Sequence, residues 1–187
     1  ALTKATQSAE VVLYDINYER AAEMAELCNA MVKRAYGEVE MKVTAARSLE
    51  QALPGAQAVL TVYCNGGGTT EERINAISKR YGSHQACFTA GPGACLYVWI
   101  QAQPMIELVH AMREHCPDAY LINCSNPLPA LCMVAIKAGH PYEKVLGYCG
   151  DIDWASQVLA DYLGVDPERV DCRIGGSNHA TVLTHVW

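Results

Sequence analysis

Short apolar runs alternate with longer segments of helical spacing along the whole chain. "EVVLYD" (10–15) is apolar and β-branched and ends on Asp15. "NYERAAEMAELCNAMVKRAYG" (17–37) has helical periodicity, with Ala22, Met24, Leu27, Met31 and Val32 expected to face the core and Gly37 closing it. Strands are predicted over 40–46, 56–63, 119–124, 144–149 and 169–176. Helices are predicted over 48–53, 69–82 (with threonine caps), 95–116, 129–139 and 153–164, with Pro104 as a kink or restart. Strands that alternate with helices imply an α/β fold, a doubly wound Rossmann-like parallel sheet of the lactate/malate dehydrogenase kind. The expectation is one sheet running through residues 10–176.

Such sheets bind ligands beyond the carboxyl ends of their strands, so the residue after each strand matters most. In order these are Asp15, Asn65-Gly66-Gly67-Gly68, Asn123, Ser125, Asn126, Cys149 and Asn178-His179. An acid ending the second strand of a Rossmann unit binds adenosine ribose hydroxyls and favours NAD; Asp15 fits that place, and fits a helix N-cap equally. "CNGGGTT" (64–70) follows the wrong strand to be the dinucleotide fingerprint, and reads as a backbone contact along a cofactor or as a loop. "ALTKATQSA" reads as the tail of a helix, which places the first strand and its Gly-rich turn outside this chain. The end, "GSNHATVLTHVW", reads as the start of a second, C-terminal domain at 177–187.

Composition narrows the class. Half of the 187 residues are apolar and the net charge is −6, which fits a globular core and argues against nucleic acid, whose binding needs clustered Lys and Arg. No apolar run is long enough to span a membrane. Nine scattered cysteines form no CxxC pair, which implies free thiols in a reducing, cytoplasmic setting.

The ordered segments "EVVLYDINYERA", "RINAISKRYG", "GPGA", "CPDAYLINCSNPLPA", "KVLGYCGD", "LADYLGVDPERVD" and "GGSNHA" resemble glycoside hydrolase family 4. The resemblance implies an NAD- and Mn²⁺-dependent glycosidase of the 6-phosphoglucosidase, α-galactosidase or α-galacturonidase type. Cleavage in that family goes by oxidation at sugar C3, deprotonation at C2 and elimination at C1, an exception to the two-carboxylate rule. It implies Cys149 and His179 as metal ligands, Asp15, Asn65, Gly66 and Asn123 near NAD, and Asn126, Asn123 and Asn178 near the sugar, with Pro127 fixing the Asn126 turn. It further implies residues 1–176 as an NAD-binding domain truncated at its start, a glycoside as the partner molecule, and a homodimer or homotetramer.

Several positions depart from the family pattern. Where family members carry Asp or His after the metal cysteine, this chain has Gly150; Asp151 is the neighbouring acid, and reads equally as part of a helix cap. The family's "GPGG…LR.IP" becomes "GPGACLYVWIQAQP", with its arginine lost and Trp99 nearby. Arg73 takes the place of the family arginine before "KYG", or is a solvated helix charge. The family's tyrosine base is expected beyond residue 187. Two other readings are a 2-hydroxy-acid dehydrogenase, which shares the Rossmann unit, and a catalytically inactive NAD-binding module, which Gly150 favours.

Overall fold

A computed structural model describes residues 8–37, 40–83, 91–177 and 180–187. The chain divides into two compact units, Ala1–Leu146 and Gly147–Trp187. The first holds β1 (Ser8–Tyr14), α1 (Tyr18–Tyr36), β2 (Glu40–Ala46), α2 (Leu49–Ala52), β3 (Ala58–Thr61), α3 (Gly67–Arg80), α4 (Gly91–His115), β4 (Tyr120–Asn123) and α5 (Leu128–Lys137). The short strand β5 (Val145–Gly147) spans the boundary between the two. The second unit holds α6 (Asp151–Leu163) and the strands β6 (Cys172–Ser177) and β7 (Ala180–Val186).

β1 and β2 are parallel, in register from Ser8 against Glu40 to Tyr14 against Ala46. A second sheet has the order β3-β4-β5, with β3 and β4 parallel. This is the Rossmann-like arrangement of parallel strands and helices, but the single sheet expected over 10–176 is not what forms. Among the described residues no strand joins β1 to β3, and the Rossmann order places its first strand at that break. Nor does β6 extend the parallel sheet. It pairs antiparallel with β7, from Cys172 against Val186 to Ser177 against Ala180, because only two residues separate the strands and a parallel crossover needs a dozen or more.

The core of the first unit lies between α4, β4 and α5. Met105, Val109 and Met112 project from one face of α4 onto Leu121 of β4 and Leu131 and Ala135 of α5, and all six are fully buried. α4 passes through Pro104 without a break, so the helix does not restart there. α1 also departs from its reading. Met24, Leu27 and Met31 are exposed, whereas Ala21 and Ala25 are buried. Asn29 explains the turn of the helix: its amide donates to the Val43 carbonyl at 2.8 Å and accepts from the Val43 N–H at 3.0 Å. That pair holds the alanine face against β2 and rotates the methionine face outward.

His140, just past α5, is 3% exposed, and its Nε2 has no partner among the described residues. Burial pushes its pKa below the usual value, with the nearby Lys144 charge acting the same way against the backbone at Ala119. A lowered folded-state pKa means that the unfolded chain binds the extra proton, so stability falls as pH drops below about 6.5. Thermal melts between about pH 7.5 and 5.5 should show this slope, and His140→Asn should flatten it.

Among the described residues no helix is long and apolar enough to cross a membrane. Eight of the nine cysteines lie within those residues, and all eight are free thiols.

Candidate functional site

The carboxyl ends of β3 and β4 are tied together by a buried polar network centred on Asn123. Its Oδ1 accepts from Thr61 Oγ1 at 2.8 Å and from the Ser125 N–H at 3.1 Å. Its Nδ2 donates to the carbonyls of Ser125 and Leu128, both at 3.1 Å. Ser125 Oγ in turn accepts from the Tyr63 N–H at 2.8 Å, and the Cys124 N–H donates to the Thr61 carbonyl. Asn123 is 0% exposed, so its side chain shapes the β4–α5 loop from inside rather than facing a ligand directly. Its neighbour Asn126 is exposed at the tip of that loop, followed by Pro127 through a cis peptide bond.

The β3–α3 loop, which carries Asn65 and Gly66, is clamped onto α4. Pro104 has no N–H to give the Ile100 carbonyl, and that freed carbonyl accepts from Asn65 Nδ2 at 2.9 Å. On the next residue, Gln101 Oε1 accepts from the Asn65 N–H at 2.8 Å, while Gln101 Nε2 donates to the Asn65 carbonyl at 2.9 Å. Tyr63 Oη donates to the Gln101 carbonyl at 2.7 Å, and burial raises the Tyr63 phenol to about 12. The side-chain amide of Asn65 is thereby engaged with α4. Gly66 takes a left-handed conformation, φ 83°, and is the N-cap of α3, which leaves its turn as bare backbone at the sheet edge. The expected threonine caps do not form: Thr69 Oγ1 and Thr70 Oγ1 donate back to the Gly66 and Asn65 carbonyls.

Asp15 follows β1, and its carboxylate is exposed. The helix-cap alternative is settled against it, since Asn17 is the N-cap of α1, accepting from the Arg20 N–H. Asp15 Oδ1 accepts from the Asn17 N–H at 2.7 Å, a turn that fixes the carboxylate at the strand end. Arg73 is exposed midway along α3.

In the second unit Cys149 is an exposed thiol between β5 and α6. Gly150 is the N-cap of α6 and Asp151 its first residue, so the helix starts two residues before its predicted start and Asp151 is not the cap. The other expected ligand, His179, and its neighbour Asn178 lie outside the described residues. Among the described residues no group of three His, Cys, Asp or Glu could hold a metal ion. The exposed thiol at a strand end is compatible with one metal donor, and an open ligand set of that kind leaves positions for substrate. An exposed, fixed carboxylate at the end of β1 suits a ribose.

The family model for "Family 4 glycosyl hydrolase" matches residues 1–165, most of the chain. The chain belongs to family 4 of the glycosyl hydrolases. It is 29% identical over 182 residues to an alpha-galacturonidase of Thermoanaerobacterium saccharolyticum, covering 93% of this chain and 39% of that protein. Its fold is similar to that of a 6-phospho-alpha-glucosidase from gut microorganisms solved in complex with NAD and Mn²⁺, with a TM-score of 0.79 and 22% identity. That likeness covers 100% of this chain and 42% of the other. A lactate dehydrogenase from Eimeria maxima, solved with NADH and oxamate, shares the fold at a TM-score of 0.66 and 20% identity, over 96% of this chain and 49% of the other. The family 4 chain thus spans about 40% of the length of the relative and of the glucosidase.

Gln101, which anchors the Asn65 loop, is not singled out by any motif in the sequence. It stands three places before Pro104, where the family's "LR.IP" has arginine. An arginine carries only donors, so it could not accept the Asn65 N–H as Gln101 does. "QAQP" carries no direct signal for it, since the carbonyl that Pro104 frees is that of Ile100, which Asn65 satisfies.

Proposed function

We propose that the protein is an NAD- and Mn²⁺-dependent glycosidase that cleaves a glycosidic bond by oxidation at sugar C3, deprotonation at C2 and elimination. The observation that carries this reading is the family match over residues 1–165, which includes the strand-end positions Asp15, Asn126 and Cys149. In this reading residues 1–176 serve as the NAD-binding domain and 177–187 begin the catalytic one.

Cys149 and His179 would hold the divalent ion, with Asn178 orienting the loop that bears the histidine. Asp15 would take the adenosine ribose hydroxyls, and the Asn65-Gly66 backbone would run along the cofactor. Asn126 would hydrogen-bond sugar hydroxyls from the loop that Asn123 braces. Asp151 is the candidate to hand a proton to the leaving group, in place of the acid that Gly150 replaces. What the bound groups supply is a hydride acceptor for C3 and an electrophile that acidifies the C2 proton. A small glycoside is the partner molecule, and the setting is a cytoplasmic homodimer or homotetramer.

A panel of α- and β-glycosides, neutral, phosphorylated and uronic, tests this reading. Hydrolysis of one of them should require NAD⁺ and Mn²⁺ together under reducing conditions, and should stop with chelator. NAD binding without hydrolysis of any glycoside would favour the inactive module instead. NAD-linked oxidation of 2-hydroxy acids would favour the dehydrogenase.

A further inference from the structure

We propose that Arg47, lying over the Tyr18 ring at the carboxyl edge of β1 and β2, is the surface on which the adenine of the dinucleotide stacks, and that it sets 2′-phosphate preference jointly with Asp15. The inference rests on the dinucleotide part of the proposed function and adds a specificity-determining residue to it.

The parallel pairing of β1 and β2 ends at Tyr14 against Ala46, so Asp15 and Arg47 are the next residues on two neighbouring strands. Adjacent strands run about 4.8 Å apart, which places both residues at one corner of the sheet edge. Asp15 is fixed there by the Asn17 N–H at 2.7 Å. Arg47 is fixed at both ends. Its N–H donates to Gln51 Oε1 at 3.0 Å, and its guanidinium lies 3.7 Å from the centroid of the Tyr18 ring. Tyr18 is the first residue of α1, capped by Asn17, so one short turn orients both the carboxylate and the ring.

Among the described residues Arg47 has no carboxylate partner, although it is exposed next to an acid. A guanidinium has two flat faces, and Arg47 is exposed with its guanidinium over the Tyr18 ring on one side. The other is free to take an adenine, since arginine planes stack on bases much as aromatic rings do. Its edge keeps its N–H donors, the groups that bind a 2′-phosphate when no acid opposes them. Asp15 repels that phosphate. The corner is therefore built for NAD by one residue and is one charge away from accepting the phosphorylated cofactor.

Calorimetry on the full chain with NAD⁺, NADP⁺, AMP and nicotinamide mononucleotide decides the matter. Arg47→Ala should weaken NAD⁺ and AMP roughly tenfold, the size expected of one lost base stack. Binding of nicotinamide mononucleotide, which has no adenine, should not change. Arg47→Lys keeps the charge and loses the flat face, so it should weaken AMP nearly as much. Asp15→Asn should improve NADP⁺ relative to NAD⁺, and adding Arg47→Ala to it should remove that gain. Unchanged AMP affinity in Arg47→Ala would overturn the proposal, as would equal losses for AMP and nicotinamide mononucleotide. A parent protein that binds neither NAD⁺ nor NADP⁺ would instead overturn the dinucleotide reading itself, and this inference with it.

Discussion

Cys149→Ser should lower Mn²⁺-dependent hydrolysis by more than about a hundredfold, because changes one shell further out from a metal already cost 10–100-fold. Cysteine binds metals as a thiolate, and a serine hydroxyl does not ionise in the same range, so the substitution removes both the charge and the soft donor. Cys149 is exposed and packs no core, so the loss should not come from unfolding. Asp15, the proposed ribose ligand, is left unaltered by this substitution, and NAD⁺ affinity should be unchanged. Calorimetry with NAD⁺ and a hydrolysis assay on the same sample would separate the two effects. Activity within a fewfold of the parent would return Cys149 to the role of a strand-end residue.

Asn123→Ala should cost about 3 kcal/mol of stability, since it leaves several buried groups unpaired and each such group costs about 1–3 kcal/mol. The orphaned partners would be Thr61 Oγ1, the Ser125 N–H and the carbonyls of Ser125 and Leu128. For a chain of this size the melting temperature should fall by about 6–12 °C. Substrate affinity should fall too, because Asn126 sits on the loop that the network shapes. Calorimetric melts and KM measured well below the new midpoint would check both halves. A variant that melts like the parent would mean that water takes over the network and that the loop does not depend on it.

Much of the fold is legible because burial imposes its period on the sequence. Glu40–Ala46 forms the strand that its apolar run predicts, and α1 begins on an asparagine cap and ends at Gly37. The face of α1 is not legible. Met24, Leu27 and Met31 are the larger hydrophobes, but two small alanines and one asparagine decide which side meets β2, and hydropathy does not register an amide that bonds a strand backbone.

The strand-end placement of the candidate residues is easier to read than their contacts. Strand ends are the right places in a doubly wound sheet, which is why Asp15, Asn65, Asn123, Asn126 and Cys149 stand out. The direction of each polar side chain is set by partners distant in sequence. Asn123 turns inward because Thr61, 62 residues earlier, lies across the parallel pair. Asn65 turns to α4 because Pro104 frees a carbonyl there. Asp15 stays outward because Asn17 takes the cap. Arg47 and Tyr18 carried no motif in the sequence and meet only when β1 and β2 pair.

The fate of the proton at sugar C2 tests the proposed mechanism most directly. Hydrolysis of a cleaved glycoside in D₂O, with NAD⁺ and Mn²⁺ present, should give a product sugar carrying deuterium at C2, read by NMR or mass spectrometry. In the proposed mechanism oxidation at C3 acidifies that position, and a base removes its proton before the bond at C1 breaks. A product with unlabelled C2, formed equally well with chelator and without NAD⁺, would contradict the account and point to an ordinary two-carboxylate hydrolysis.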